Sequence, residues 1–455
     1  MRSSAECDVV DDVVPLEEAS ISREVVTSRN IAEIREASRT RLQEAIRDRT
    51  TAEVEQQLSY CAVPDVARQP DASSDAKKNA LALYRQSFYA DDDTVEFTYS
   101  IISAFRHSMS RRNFDDPDYR EFFFNIDKIL KGDALRPIPT CVRALRDLFF
   151  IVEAPPLCGK TAYINRLLQI FDTPFRFYGT GKQPAYMSIV PLLSISYPSC
   201  GTVEGMLREI RYRVIERVGR VDTLKDVIPE IAGQDSVNAI ISLCVQVNVG
   251  VLAIDGACFK SLAGQPQEVV DMLVKLQQRS GIVVVFAATP VFLHCLSLAK
   301  GGSSSFLSGQ RLNLGSLGNV ADANGNPDST STLYQFVSRA WASGVISSET
   351  SMPIELPLWM AKLALGRKGW TMQIMEGLHL KVAKHPALIQ TLNYEYIEKL
   401  ALQKLAYQLP TRAALVHWAE RKDLEDELDF YNYIDHFPKT IFNVRKFKNL
   451  LHVRT

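Results

Sequence analysis

Gly159-Lys160-Thr161 is the triplet in this chain whose residue types and spacing could do chemistry. A positively charged side chain and a hydroxyl follow a glycine, directly where a helical pattern begins (Ala162 to Phe171). Backbone N–H groups at such a turn and at a helix N-terminus gather an anion. Pro155, Pro156, Leu157, Cys158, Gly159, Lys160, Thr161 and Ala162 then form a candidate nucleotide loop. Lys160 would meet the β- and γ-phosphates, and Thr161 would ligate Mg²⁺. The apolar run Leu148 to Val152, ahead of Glu153, is the strand that must feed this loop. Two loop residues depart from the usual pattern. Ala154 stands where a first glycine is usual and must take the turn's φ/ψ at greater steric cost, and Leu157 stands where a second glycine is common.

Two further apolar runs end in groups that suit the same site. Val249 to Ile254 is followed by Asp255, whose carboxylate would share the Mg²⁺ with Thr161; a buried strand with a capping Asp is the plainer alternative. Gly281 to Ala288 ends in Thr289-Pro290, and Thr289 is placed to sense a γ-phosphate. Tyr186 to Val190 is a weaker fourth candidate, and Glu268 to Gln278 reads as a helix between the second and third runs. Strands alternating with helices at this spacing predict an α/β fold with a parallel sheet core and its ligand at the strands' carboxyl ends. Ile282 to Ala299 has the length of a membrane span, but Thr289, Pro290 and His294 interrupt it, so a strand–turn–helix is expected.

The chain has 455 residues, 46% hydrophobic and 23% charged, with a formal net charge of −1. That length can bury a large core and suits about two to three domains. A near-neutral balance excludes a bulk polycation, so nucleic acid would have to meet local patches. The eight cysteines are scattered without a Cys-x-x-Cys and read as reduced residues of a cytoplasmic protein. The acidic N-terminus lacks the basic-then-apolar order of a signal peptide.

Residues 1–90 read as an accessory arm, partly flexible, with a charged helix around Ile31 to Asp48 and a loose polar stretch from Pro64 to Lys78. Residues 91–300 hold the nucleotide core and a helical segment before it. Residues 301–332 form a Gly/Ser-rich loop with only a short apolar interruption at Gly309 to Leu317, and a loop that long is functional or without fixed structure. Residues 333–403 read as a small α-helical lid with helices at Leu333–Trp341, Leu356–Leu365, Gly369–Ala383 and Tyr394–Gln403. Residues 404–455 form a tail, acidic around Asp423 to Asp429 and then basic and aromatic, suited to nucleic acid or to an acidic partner.

A phosphate loop, a sensor-like strand and a helical lid in this order resemble the AAA+ plan. Within it the chain resembles the TnsC/TniB-type regulators of cut-and-paste DNA transposons, over roughly residues 99 to 400. The residues carrying the resemblance are Ser100 to Phe114 ahead of the core, with Arg112-Asn113 as an Arg-Asn motif, Val249 to Asp255, Ala288-Thr289-Pro290, and Lys368-Gly369-Trp370-Thr371-Met372 at the start of a long helix. The resemblance implies ATP and Mg²⁺ as ligands, homo-oligomerisation as a ring or filament on duplex DNA, a transposase and a target-selector protein as partners, and a bacterial cytoplasmic setting away from membranes. DNA contacts would fall on Lys182 and on the helix bearing Arg208, Arg211, Arg213, Arg217 and Arg220; Glu204, Glu209 and Glu216 make an ordinary charged face an equal reading.

Departures from the family bear on turnover. Gly256 follows Asp255 where the family places a catalytic Glu, and loss of such a base costs about 10²–10⁴ in rate. Lys160, Asp255 and Thr289 remain as candidate catalytic residues, so binding with impaired hydrolysis is expected. The lid offers Gln373 where a sensor arginine is usual, and Arg311 and Arg339 are candidates for an arginine finger. A helicase loader or initiator-type ATPase and a STAND-like nucleotide-gated switch are the alternatives.

Overall fold

The computed structural model describes residues 28–69, 72–112, 116–124, 139–143, 148–171, 173–179, 186–218, 236–298, 303–315, 317–318, 320–322, 325–346, 350–421 and 432–438. Within them six strands form one sheet: β1 (Phe149–Glu153), β2 (Phe175–Tyr178), β3 (Tyr186–Ser196), β4 (Val249–Ala257), β5 (Val283–Ala288) and β6 (Gln310–Asn313). Their order is β2-β3-β4-β5-β1-β6. Every pairing is parallel except β2 with β3. β1 and β5 are buried throughout and β4 nearly so, as near-continuous apolar strands must be when both sheet faces are covered. β5 separates β1 from β4, so Thr289, just after β5, stands between the loop that follows β1 and Asp255 on β4. This order, with helices after the sheet forming a lid, makes the chain an α/β protein of AAA+ P-loop fold.

Three cores hold these layers together. On one sheet face, Tyr163, Ile164 and Leu167 of the helix Lys160–Ile170 pack with Ile101 and Phe105 of the helix Asp92–Ser110. On the other, Met206, Leu207 and Ile210 of the helix Val203–Val218 pack with the helices Ser236–Gln246 and Pro266–Ser280. The third core belongs to the lid helices Thr332–Ala342, Leu356–Ala364, Lys368–Lys384 and Tyr394–Lys404. Val63, Leu81 and Tyr84 enter that lid core from the N-terminal side, and Ile434 and Phe437 enter it from the C-terminal side.

Several sequence expectations change at this level. The 301–332 stretch contains β6, which pairs with β1 from Phe150↔Gln310 to Glu153↔Asn313. β6 is an edge strand with only Leu312 buried, too short and polar to announce itself. Pro64 to Lys78, expected to be loose, carries the helices Asp65–Arg68 and Ser74–Leu81; Ser73 caps the second by accepting the Ala76 N–H at 3.2 Å. β3 extends well past Val190. Arg112, one of the residues carrying the family resemblance, is a buried structural tie. Its guanidinium donates to the Val249 and Ser280 carbonyls, both at 3.1 Å. Asn113, Arg220, the acidic run and the basic end beyond Pro438 lie outside the described residues. Among the described residues no helix is long and apolar enough to cross a membrane; the stretch from Ile282 is β5 followed by the helix Pro290–Leu298.

Candidate functional site

The loop after β1 turns through two left-handed residues, Leu157 at φ 65° and Gly159 at φ 101°. Ala154, expected to bear the cost of the turn, has no positive φ, and the strain falls on Leu157 instead. Lys160 opens the helix and folds its ammonium back onto the Ala154 and Pro155 carbonyls, the second at 3.0 Å. Burial holds the Lys160 pKa below its ordinary value, opposed by the charges of Cys158, Asp255 and Asp435. Thr161 Oγ1 donates to Asp255 Oδ2 at 2.6 Å. Two residues far apart in sequence, expected to share one Mg²⁺, are therefore in direct contact. Cys158 is buried and turned away, and burial raises its thiol pKa.

β4 is bulged beside Asp255. Its register with β5 shifts between Ile254 and Ala257, and Gly256 sits in the bulge at φ 95°. A bulge of this kind favours glycine because a Cβ is strained there. The missing glutamate is thus a change of backbone as well as of side chain. Thr289, three per cent exposed, is fixed by its own N–H to the Ala257 carbonyl at 3.0 Å.

These groups line one cavity of about 500 Å³, whose walls include Pro156, Leu157, Gly159, Lys160, Thr161, Ala162, Asp255, Gly256 and Thr289. Its other walls come from the lid (Phe336, Lys368, Gly369, Met372, Gln373), from Ala257 and Cys258, and from Arg85, Ser87, Phe88 and Tyr89. The volume lies in the range of small-molecule sites, with apolar and aromatic surface beside a few convergent polar groups. Gln373 reaches the cavity as the sequence suggested. Arg311 and Arg339 do not line it: Arg311 pairs with Glu153 at 3.8 Å, and Arg339 donates to the Ala90 carbonyl at 2.5 Å.

The lid rests directly on the loop. Gly369 N–H donates to the Leu157 carbonyl at 2.8 Å, and Arg367 Nη1 donates to the Pro156 carbonyl at 2.8 Å. Lys368 Nζ pairs with Asp91 at 3.4 Å. Burial would raise the Asp91 carboxyl, but the Lys368 charge and the Thr94 hydrogen bonds outweigh it and hold the group below its usual value. Arg367 is the basic lid residue that the sequence did not single out, and Lys368 was noted there only as part of the motif that opens the lid helix. A basic pair at the start of the lid helix was the available signal.

A second missed contribution comes from residues 432–438. Thr289 Oγ1 donates to Asp435 Oδ1 at 2.7 Å, and the same oxygen accepts the Phe259 N–H at 2.8 Å. Arg367 Nη2 donates to the His436 carbonyl at 2.6 Å. Burial, with the charges of Arg367 and Lys160, lowers the His436 pKa to about 4. Nothing in the sequence around Asp435 signals this return to the site.

The described part of the arginine-bearing helix Val203–Val218 covers the sheet face opposite the helix Lys160–Ile170. Arg208 pairs with Glu204 at 3.0 Å and Arg213 with Glu216 at 2.6 Å; Arg211 also has an interaction of its own. Lys182 lies outside the described residues.

A magnesium ion fits the Thr161–Asp255 pair as a partner to phosphate oxygens and water, which is how Mg²⁺ is ordinarily held. Among the described residues no cluster of three or more His, Cys, Asp or Glu forms a protein-only metal cage. No protein-family model matches the chain, and no curated protein matches it. Among solved structures it is similar to the Walker-type ATPase PABY2304 of Pyrococcus abyssi, at 10% identity over 68% of this chain and 77% of that one, with a TM-score of 0.35. It is also similar to C. elegans PCH-2, at 12% identity over 67% and 73%, with a TM-score of 0.23. At such scores the fold rests on the chain's own strand order and loop geometry.

Proposed function

We propose that this chain is an ATP- and Mg²⁺-binding AAA+ regulator of DNA transposition that assembles on duplex DNA and links a target selector to a transposase, turning ATP over slowly. The observation that carries the nucleotide half is the convergence of Lys160, Thr161, Asp255 and Thr289 on one cavity beneath Arg367 and Lys368 of the lid. Bound Mg²⁺ would neutralise phosphate charge; Thr161 and Asp255 would hold it. Lys160 would bind and orient the phosphates. Gly256, with no side chain beside Asp255, supports slow hydrolysis.

The transposition half is supported by the motif resemblance, and exposed Arg208 with half-buried Arg211 and Arg213 is the surface we assign to DNA, in a bacterial cytoplasm. Nucleotide that binds only the assembled form would stabilise it by about 2.7 kcal/mol at 100 times Kd, so slow turnover would favour long-lived assemblies. Electron microscopy on duplex DNA tests this, without nucleotide, with ATP and Mg²⁺, and with a non-hydrolysable analogue. Assembly that needs nucleotide and is lost in Lys160→Ala is expected; no DNA-bound assembly under any condition would reject the reading. A nucleotide-gated switch is the second reading, favoured by the docking of residues 432–438 on Thr289 and Arg367.

A further inference from the structure

We infer that Asp435 is the positioning carboxylate of ATP hydrolysis, acting through Thr289 in place of the side chain that Gly256 lacks. The inference rests on the nucleotide-binding reading above. A threonine hydroxyl has one proton and two lone pairs. The Thr289 proton is committed to Asp435 Oδ1 at 2.7 Å. Towards the cavity, which Thr289 lines, its oxygen can therefore only accept. Phosphate oxygens are also acceptors and gain nothing from such a group, whereas a water molecule can donate to it. Thr289 held this way orients water and not the γ-phosphate.

Asp435 is itself held firmly. Ile434 and Phe437 on either side are buried in the lid core, the Phe259 N–H shares Asp435 Oδ1 at 2.8 Å, and Arg367 ties the next residue by its carbonyl at 2.6 Å. The carboxylate arrives from a distant segment, since Asp255 on β4 is engaged by Thr161 and Gly256 in the bulge has no side chain. In the reaction, the oxygen of the water held by Thr289 bonds to the γ-phosphorus. The bond from that phosphorus to the β–γ bridging oxygen breaks, its electron pair leaves with ADP, and the proton shed by the water ends on inorganic phosphate. Phosphoryl transfer through a loose transition state asks mainly for positioning, which is what this pair supplies.

The test is single-turnover and steady-state ATP hydrolysis by the full chain, with nucleotide dissociation constants measured in parallel. Asp435→Ala and Thr289→Val should each lower kcat by about ten-fold, the worth of one lost hydrogen bond, with nucleotide affinity little changed. The double variant should be no slower than either single one. Asp435→Asn, which keeps an accepting oxygen, should recover part of the loss, and Thr289→Ser, which keeps the hydroxyl, should do the same. Unchanged or faster turnover in Asp435→Ala or Thr289→Val would overturn the inference, as would a wild-type chain that binds ATP without any turnover. Failure of the wild-type chain to bind ATP would instead reject the nucleotide-binding reading itself.

Discussion

Leu157 holds its φ at 65°, a conformation that costs a residue with a Cβ about 1–2 kcal/mol. Gly256, at φ 95°, is the reverse case, a glycine where any side chain is strained. Leu157→Gly should therefore raise stability in urea or guanidinium unfolding by up to about 1 kcal/mol, less the extra backbone entropy of glycine. Gly256→Ala should lower it by about 1–2 kcal/mol, although no atom stands within 4 Å of the added methyl group. Restoring a glutamate at 256 alone is expected to strain β4 before it helps catalysis. That Lys160, Thr161, Asp255 and Thr289 would meet was readable from a Gly-Lys-Thr triplet opening a helical pattern and from Asp255 and Thr289 each following an apolar run. Arg367 and Asp435 were not, because their roles are set by tertiary contacts to carbonyls and to Thr289.

At the scale of elements, the lid helix Lys368–Lys384 approaches the loop so closely that a Cβ on Gly369 would lie 2.8 Å from the Leu157 carbonyl oxygen. Gly369→Ala should push the helix off the loop, break the hydrogen bond to that carbonyl and weaken nucleotide binding by about ten-fold, as read by calorimetric titration. His379 in the same helix and His436 beside it both titrate at about 4 instead of 6.5, chiefly because they are buried. Folded-state pKa values below the unfolded ones mean that the unfolded chain binds protons that the folded chain refuses. Stability should be complete above pH 6.5 and decline as pH falls towards 4. Melting temperatures across that range should follow this course, and His436→Gln should remove part of the slope. The lid helices and the strands β1, β4 and β5 were readable from period and apolar runs. β6 and the two short helices after Pro64 were not, since their formation depends on neighbours that the local pattern does not contain.

For the whole molecule, the informative feature is the shared lid core, where residues from both flanks of the nucleotide core meet the four lid helices. The lid cannot swing as a free unit without exposing Tyr84 or Phe437, both fully buried. If nucleotide drives assembly on DNA, the change transmitted to a neighbouring copy must then be a shift of packed surfaces and not an open hinge. If the proposed assembly on DNA forms, raising salt should weaken it more steeply than it weakens nucleotide binding, because many backbone phosphates and one triphosphate release different numbers of counterions; parallel filter-binding and nucleotide titrations at several salt concentrations would separate the two.

That core also sets an order on the making of the protein. A ribosome delivers the chain from its N-terminus, and domains fold as they emerge. The loop, Asp255 and Thr289 are out long before Ile434, Asp435 and Phe437. Until residues 434–437 arrive, a nascent chain has the phosphate-binding parts of the site while the lid core still lacks two of its side chains and Thr289 lacks its carboxylate. The capacity to hold a nucleotide would thus precede the finished lid, and a ligand captured at that stage would meet a half-built enclosure that residues 434–437 then complete.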